Sequence, residues 1–250
     1  MIAAVMQPYF FPYIGYFQLV NAVDTFVVYD DVQYMKGGWI NRNRILLKGQ
    51  PSWITLPVQK ASINLAINQR HYQLNKITLL NIEHKLIQCY RNAPLFDEIF
   101  PFVCDLMNYQ NTNVAMFNFN LIKKIAQRLR INATILLSSS LDADINLRGQ
   151  EKVIEICNKV GARQYTNPIA GSFLYDDATF ANKGVKLRFL KSKTSTYTQF
   201  SEPALQSLSI IDVLMFNGPV AINNLLSDYD VVSIQSEDFD GSKHNLQVTT

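Results

Sequence analysis

Side chains that could do chemistry are concentrated in one segment, YDDVQYMKGGWINRNRI, which runs from Tyr29 to Ile45. It combines paired carboxylates, cationic side chains, amides and an indole ring. Arginine binds phosphate through planar, bidentate donors, and an indole face suits a nucleotide base or the apolar face of a sugar. The segment therefore predicts a site for a nucleotide or a nucleotide-sugar. Its candidate residues are Asp30, Asp31, Lys36, Trp39, Asn41, Arg42, Asn43 and Arg44.

An extended backbone would sort the second half of this segment into two faces. Because side chains alternate along a strand, one face would carry Trp39, Asn41 and Asn43, and the opposite face Arg42 and Arg44. The structural alternative is that an aspartate pairs with an arginine while the tryptophan belongs to the core. Adjacent carboxylates on a strand also point to opposite faces, and no third ligand is near in sequence. We therefore predict no structural metal, and a phosphate-bound magnesium ion stays open as an alternative.

The elements that would position these residues begin at the N-terminus. The apolar run Ile2 to Met6 predicts a buried strand that ends at Gln7-Pro8, and the apolar positions after Gly15 predict a short helix. Thr25 to Tyr29 predicts a second buried strand. This order favours a right-handed crossover in a parallel sheet, where ligands bind at the carboxyl ends of the strands. We expect the loop after the first strand and the carboxylates after the second to be neighbours.

The loop between the first strand and the first helix, QPYFFPYIGY, is rich in aromatic residues. Its layout resembles that of nucleotidylyltransferases whose first turn reads His-x-Gly-His. Tyr13 and Tyr16 would stand in place of the two histidines, which in that class donate to the phosphate during nucleotidyl transfer. A phenol is a weaker, neutral donor, so the layout could survive without that chemistry. Other rings of this stretch, Phe10 and Phe17 among them, are expected in the core.

Strands and helices alternate through the second half of the chain. Apolar periodicity predicts helices at 75–90, 100–106 and 118–129, and a hairpin formed by 45–47 and 53–58 precedes them. Strands at 134–137, 164–166 and 185–190 then alternate with helices at 150–160, 176–182 and 208–216. This pattern predicts an α/β, Rossmann-like fold of nucleotidylyltransferase or HUP type, with a mostly parallel sheet and a helical insertion at about 75–130. We predict one domain over residues 1–235 and a polar tail over 236–250.

Composition excludes several classes of protein. With 250 residues, of which 48% are hydrophobic and 17% charged, the chain can bury a core and does not have the composition of a disordered protein. The net charge of +3 is too small for a general nucleic-acid binder. Three widely spaced cysteines indicate free thiols in a reducing compartment, and no apolar run approaches the ~18 residues of a membrane span. We expect a cytoplasmic protein with no nucleic-acid partner and no membrane span.

Two further groups of residues lie outside the main segment. His84, on the predicted helix 75–90, could act as a general base, although a lone helical histidine is more often structural. The cluster Ser138 to Ser140 follows a predicted strand and could donate to an anion, or form only a loop or a helix cap. Gly-x-Ser-x-Gly, Walker and Gly-x-Gly-x-x-Gly motifs are absent from the sequence. The corresponding hydrolase, NTPase and dehydrogenase hypotheses therefore have no support.

Several stretches, in their order along the chain, resemble the WbqC-like family of bacteria. They are MQPYFFPYIGYFQL, DTFVVYDDVQYMKGGWINRNRI, WITLPV, LSSSL, YTQ and LSIIDVLMFNGP. The signatures around Gln7 to Tyr16 and Trp39 to Ile45 are both intact. The resemblance assigns binding roles to the residues that match them, which are Gln7, Pro8, Pro12, Gly15, Tyr16, Asp30, Asp31, Tyr34, Lys36, Trp39, Asn41, Arg42, Asn43 and Arg44.

The resemblance also implies a role in glycan biosynthesis, because the family is associated with O-antigen and other surface-polysaccharide gene clusters and is suspected of acting on amino sugars. The leading hypothesis is a transferase that moves an acyl or aminoacyl group to the amine of a nucleotide-activated amino sugar. Asp31 or His84 would remove the amine proton, while Lys36, Arg42 and Arg44 would hold a diphosphate or the phosphopantetheine of a carrier. No resident cofactor is expected, and CoA or an acyl carrier protein could supply the acyl group. The alternatives are an adenylate-forming or nucleotidyl-transfer enzyme and a non-catalytic glycan-assembly adaptor.

Overall fold

A computed structural model describes residues 1–193 and 196–233, and the predicted tail over 236–250 lies outside them. Eight strands form two sheets in the described part. The strands are β1 (Ile2–Met6), β2 (Thr25–Val28), β3 (Arg42–Leu47), β4 (Gln50–Thr55), β5 (Thr134–Leu137), β6 (Gln164–Pro168), β7 (Lys186–Ser192) and β8 (Tyr229–Val232). β3 and β4 pair only with each other, as an antiparallel hairpin.

The main sheet has the order β5-β2-β1-β6-β7-β8. Its first five strands are parallel, with Met6 opposite Val28 and Val28 opposite Leu137, and β8 pairs antiparallel to β7 at one edge. Counted along the chain without the hairpin, the parallel strands follow the order 3-2-1-4-5 of a doubly wound sheet. The prediction of a Rossmann-like, mostly parallel α/β fold is confirmed.

Eight α-helices cover the two faces of this sheet and the hairpin. They are α1 (Ile14–Asn21), α2 (Lys76–Tyr90), α3 (Phe96–Met107), α4 (Val114–Arg128), α5 (Gly149–Lys159), α6 (Asp177–Asn182), α7 (Ile210–Phe216) and α8 (Pro219–Ser227). The consecutive helices α2, α3 and α4 lie between β4 and β5, in the range where the sequence predicts a helical insertion. Asn75 and Asn113 cap the first and the last of them through their side chains.

Alternation along the central strands separates two hydrophobic cores. Ala3, Val5 and Val27 face one side of the sheet, where they pack with the apolar residues of α5, α6 and β7. Ala4 and Phe26 face the other side and join the larger core of α1, α2, α3, α4 and α7. Because successive side chains of a strand point to opposite faces, strands buried on both sides must be apolar at every position.

Two elements near the C-terminal end of the described chain are not among the predicted ones. Asn217-Gly218-Pro219 ends α7 as expected, but Pro219 also opens α8, because the fixed φ of proline and its missing N–H suit the first helical position. β8 is four residues long and lies at the sheet edge, with Val231 exposed. Its sequence has no alternating pattern, because it pairs on one side only and neither of its faces is deeply buried.

Candidate functional site

A cavity of about 600 Å³ opens at the carboxyl ends of the parallel strands. Gln7 follows β1, Asp31 follows β2, Lys152 lies in the first turn of α5, and Tyr175 follows β6. The order of the sheet reverses between β1 and β6, which is where doubly wound folds bind ligands. We call this the switch-point cavity. The expectation that the loop after β1 and the carboxylates after β2 are neighbours is confirmed.

Asp31 and Lys152 form an ion pair in the wall of this cavity. The Nζ of Lys152 lies 2.6 Å from Oδ2 of Asp31, and the side chains are 4% and 22% exposed. A cation in the first turn of a helix opposes the helix dipole, so α5 alone does not favour Lys152 there. Asp31 provides the opposite charge. The pair therefore depends on two elements that are brought together only by the folded sheet.

The carboxylate of Asp30, next to Asp31, is held by hydrogen bonds within the protein. Its carboxylate accepts hydrogen bonds from the Oγ of Ser138 at 2.9 Å, from N and Oγ of Ser139 at 3.0 and 2.7 Å, and from Nδ2 of Asn68 at 3.3 Å. These bonds join the end of β2 to the end of β5. Ser138 and Ser139 thus donate to the protein's own carboxylates rather than to an external anion, and the Ser140 hydroxyl donates to the carbonyl of Leu137 at 2.7 Å.

Ser138 also reaches Asp31, with its Oγ 2.5 Å from Oδ1. A hydroxyl carries one hydrogen, so it serves either Asp30 or Asp31 at a given moment. Each oxygen of Asp31 therefore has one protein neighbour, Ser138 or Lys152, and further lone pairs. Because the Asp31 side chain is partly exposed in the cavity, those lone pairs are available to a substrate N–H or O–H.

Tyr29 forms the floor beside the ion pair. The Nζ of Lys152 lies 5.5 Å from the centre of its ring, within the range of a cation–π contact. Burial raises the pKa of the Tyr29 phenol well above its ordinary value, and the charge of Asp31 adds to the effect. The phenol is therefore neutral at physiological pH and can only donate or accept a hydrogen bond.

A second cavity, of about 780 Å³, adjoins the first. Four cationic side chains line it, and we call it the cationic cavity; they are Lys36, Arg42, Lys60 and Arg70. Gln33 lines both cavities, whereas Asp31 lines only the switch-point cavity. The predicted carboxylate Asp31 and two of the predicted cations, Lys36 and Arg42, therefore lie in neighbouring cavities and not in one.

Tyr34 and Asn41 belong to the cationic cavity as well. The Tyr34 hydroxyl donates to Oδ1 of Asn41 at 3.0 Å, and Nδ2 of Asn41 donates to the carbonyl of Leu56 at 3.1 Å. Burial raises the pKa of Tyr34, although Arg70 and Arg42 oppose this shift. These two residues connect the loop before the hairpin to its second strand and fix one wall of the cavity.

Trp39 and Arg44 lie outside the lining of both cavities. The ring of Trp39 packs 5.4 Å from that of Trp53, Arg44 lies 5.4 Å over Trp39, and Arg42 lies 4.4 Å over Trp53. Trp53 is 42% exposed. The predicted tryptophan and arginines thus form a stack on the hairpin surface, and of these side chains Arg42 is the one that also lines one of the two cavities.

Asn43 is buried and holds the aromatic loop in place. Its Nδ2 donates to the carbonyl oxygens of Phe10 and Phe11 at 3.1 and 2.7 Å. Asn118, on α4, makes the equivalent contact with the carbonyl of Pro8 at 2.8 Å. A buried carbonyl needs a donor, and these amides supply it. The amide-rich face predicted around Asn43 therefore serves the protein's own backbone.

The tyrosines of the aromatic loop also pack inside the protein. Tyr16 is buried, and its hydroxyl donates to the carbonyl of Gln7 at 3.0 Å. Burial raises the pKa of Tyr13, and it raises that of Tyr9 to about 12. A Cβ at Gly15 would lie 2.5 Å from the Tyr13 ring, so this position has no room for a side chain. Gln7 is the residue of this loop that lines the switch-point cavity.

His84 is exposed on α2 and is not among the residues that line the two cavities. The structure does not bring it to Asp31. Within residues 1–193 and 196–233, no group of three or more His, Cys, Asp or Glu side chains could hold a metal ion. In the same part of the chain, no helix is long and apolar enough to cross a membrane.

Several site residues are not among the predicted ones; of these, Lys152 and Arg70 are buried cations, and Lys60 and Gln33 are further examples. Lys152 does have a signal, because it lies four positions before Ile156 and helical spacing therefore puts this cation on the buried face of α5. Arg70 follows a short 3₁₀ turn at Ile67–Gln69, in a stretch without a long periodic element. No comparable signal marks it in the sequence.

The fold and the site define a Rossmann-like α/β protein with an ion-paired carboxylate at its switch point. The chain belongs to the WbqC-like protein family, whose sequence model matches residues 7–224. It is similar to the uncharacterized protein Rv1507c of Mycobacterium tuberculosis, with 29% identity over 224 residues that cover 86% of this chain and 92% of the relative. No solved structure matches it.

Proposed function

We propose that the protein is an enzyme of glycan biosynthesis that transfers an acyl or aminoacyl group to the amine of a nucleotide-activated amino sugar. The observation that carries this proposal is the carboxylate of Asp31, paired to the buried Lys152 at the mouth of the switch-point cavity. A cavity of about 600 Å³ is in the size range of small-molecule sites. Family membership supports the proposal through the resemblance to proteins of polysaccharide gene clusters.

Asp31 would be the group that receives the amine proton. Its oxygens keep lone pairs beyond those that face Lys152 and Ser138, so an amine in the cavity could donate to it. As the amine nitrogen bonds to the acyl carbonyl carbon, the bond from that carbon to the donor's leaving group breaks. Asp31 takes the proton that the nitrogen releases and passes it to the leaving group, so the carboxylate is regenerated.

Lys152 and the start of α5 would stabilise the negative charge that develops on the acyl carbonyl oxygen. Attack on an acyl group places negative charge on the carbonyl oxygen, and fixed positive charge nearby lowers the energy of that state. The Lys152 ammonium lies in the cavity wall, and the N-terminal residues Gly149 and Gln150 of α5 line the same cavity. Lys152 would therefore have two roles, because it also orients Asp31.

The test uses purified protein with a dTDP-linked amino sugar and its N-acetylated analogue. We expect the parent to be stabilised more by the free amine than by the analogue, and Asp31→Asn to lose this preference. Acyl transfer from acetyl-CoA, followed as released thiol, should fall by about a hundredfold or more in Asp31→Asn and Lys152→Met. Lys159→Met is the matched control, because Lys159 lies on the same helix with its charge exposed.

The proposal fails if the parent does not distinguish the amine from its N-acetylated analogue. It also fails if Asp31→Asn and Lys152→Met, verified as folded by circular dichroism, keep the binding preference of the parent. We put forward no second function. Nucleotidyl transfer would need the Tyr16 hydroxyl for a phosphate, and that hydroxyl donates to Gln7. An adaptor that binds a partner through the aromatic loop would need the rings of that loop to be exposed, whereas Phe10 and Phe11 are buried.

A further inference from the structure

The cationic cavity is lined by several positively charged side chains, and its lining, as far as the structure describes the chain, contributes no negative charge that would balance them. Two lysines and two arginines line it, and the lining residues among the described part of the chain include no aspartate or glutamate. None of these four cations takes part in an ion pair within residues 1–193 and 196–233. Like charges that converge on one cavity repel each other, so an anion bound there would be attracted by all four.

Arg70 is the strongest sign that this cavity is built for a ligand. The residue is only 8% exposed, and its guanidinium carbon lies 4.7 Å from the centre of the Tyr34 ring. NH1 donates to the carbonyl of Ser62 at 2.8 Å, but Nε is buried and has no hydrogen-bond partner among the described residues. A buried guanidinium with unused donors carries a desolvation penalty that an anionic ligand would offset.

The backbone holds Arg70 in this position independently of any ligand. Its N–H donates to the carbonyl of Ile67 at 3.1 Å, and its carbonyl accepts from the N–H of Val114, at the start of α4, at 2.9 Å. The backbone on both sides of the Arg70 Cα is therefore anchored, on one side to the 3₁₀ turn and on the other to a helix. The side chain needs little reorganisation to bind, which favours affinity.

Arg42, which lines the same cavity, is also held by hydrogen bonds to the protein. Its Nε donates to the carbonyl of Gly38 at 3.3 Å, a second bond runs from NH2 to the carbonyl of Gly37, and its face lies on Trp53. A guanidinium has five N–H donors, so three remain for a ligand. Two oriented arginines facing one cavity match an anion with several equivalent oxygens better than a single carboxylate.

We propose that the cationic cavity binds a diphosphate, with Arg70 and Arg42 as its principal ligands and Lys36 and Lys60 at the rim. This assignment rests on the proposed function, because it places the phosphates of a substrate beside the cavity that would take its amine. Gln33 lines both cavities, which are therefore neighbours. The diphosphate could come from the sugar nucleotide or from a CoA donor, and the experiment distinguishes these two sources.

The experiment measures binding of inorganic pyrophosphate to the full chain by calorimetry. We expect Arg70→Gln to weaken binding by about tenfold or more, since a charge-assisted hydrogen bond is lost together with its charge. Because a buried variant can fail to fold, Lys36→Gln with Lys60→Gln is the second variant, as both lysines are exposed. This double variant should weaken binding several-fold and make it less sensitive to salt. Arg91→Gln, exposed on the surface at the end of α2, is the control.

Two further arms identify the source and separate the two proposals. If the diphosphate belongs to the sugar nucleotide, dTDP should compete with pyrophosphate and CoA should not; the reverse result assigns the cavity to the acyl donor. Asp31→Asn should bind pyrophosphate like the parent, even though it loses the preference for the amine. The cationic-cavity assignment is overturned if pyrophosphate does not bind the parent, or if Arg91→Gln weakens binding as much as Arg70→Gln. Those results would leave the amine test at Asp31 unaffected.

Discussion

Replacement of Asp31 by asparagine should destabilise the protein more than replacement of its partner Lys152 by methionine. The reason lies in the unequal burial of the pair, with side-chain exposures of 22% for Asp31 and 4% for Lys152. Asparagine would leave a buried ammonium without its counter-charge. Methionine would leave a carboxylate that still contacts solvent in the cavity and the hydroxyl of Ser138. The two halves of one ion pair are therefore not equivalent.

The burial gives an approximate size for each effect. Breaking a buried pair by removing one partner costs about 3–5 kcal/mol of unfolding free energy, and we expect Asp31→Asn near this range. Lys152→Met should cost about 1–2 kcal/mol, because methionine fills most of the lysine volume and the carboxylate is partly hydrated. The double variant should lose less than the sum of the two, by about 2 kcal/mol, since the buried charge disappears together with its partner.

Equilibrium unfolding in urea, followed by far-ultraviolet circular dichroism at pH 7, measures these differences. The slope of the unfolding free energy against urea should be the same for all variants, so that shifts in midpoint report stability. Lys159→Met is the control, because its pair with Glu155 is exposed and should contribute less than about 1 kcal/mol. Equal losses for the two single variants, or strictly additive losses in the double variant, would refute this account of the pair.

Three other predictions follow from buried groups elsewhere. Burial raises the pKa of Asp212 above its usual range, so its contribution to stability is present at low pH and is lost as the pH rises; urea unfolding should show the parent losing stability relative to Asp212→Asn from about pH 4 upwards. Burial raises the pKa of all three thiols, to about 11 for Cys89 and Cys104 and about 12 for Cys157; iodoacetamide at pH 8 should therefore label the native protein much more slowly than the urea-unfolded one, as mass spectrometry can verify. Asn118→Ala removes the donor that bridges two buried carbonyl oxygens, and should lower the unfolding free energy measured in urea by about 2–4 kcal/mol, whereas an unchanged urea midpoint would contradict this role of the amide.

The sequence predicts the strand-end part of the site because that part follows from topology. Buried strands that run parallel end at the same edge of the sheet, so polar residues directly after β1 and β2 must meet there. Gln7 and Asp31 do line one cavity. No long-range information is needed for this conclusion, since both residues lie within one strand, helix and strand unit. Ser138 lies beside Asp30 for the same geometric reason, but only because β5 pairs with β2, which was not predicted from the sequence.

The rest of the site depends on contacts that local patterns do not contain. Helical spacing puts Lys152 on the buried face of α5. Its role can be assigned only from its partner Asp31, however, which lies 121 positions earlier in the chain. Alternation around β3 predicts the faces of the strand, but it does not distinguish an amide that faces a ligand from one that faces backbone. The amide of Asn43 faces backbone, because it donates to the carbonyls of Phe10 and Phe11, which lie in the bent aromatic loop and have no strand partners among the described residues.

The segment from Asp30 to Tyr34 explains how the two cavities can serve one ligand. It runs beside residues 65–68, with the N–H of Tyr34 donating to Leu65 at 3.1 Å and the carbonyl of Asp30 accepting from Asn68 at 2.9 Å. Tyr34 lies three positions after Asp31, so the extended chain spans at most about 10 Å between them. Because both ends of the segment are bonded to a second stretch of chain, this spacing cannot vary much. A molecule with an amine at one end and a diphosphate at the other would meet both groups at a fixed separation, and binding of its first half would raise the effective concentration of its second.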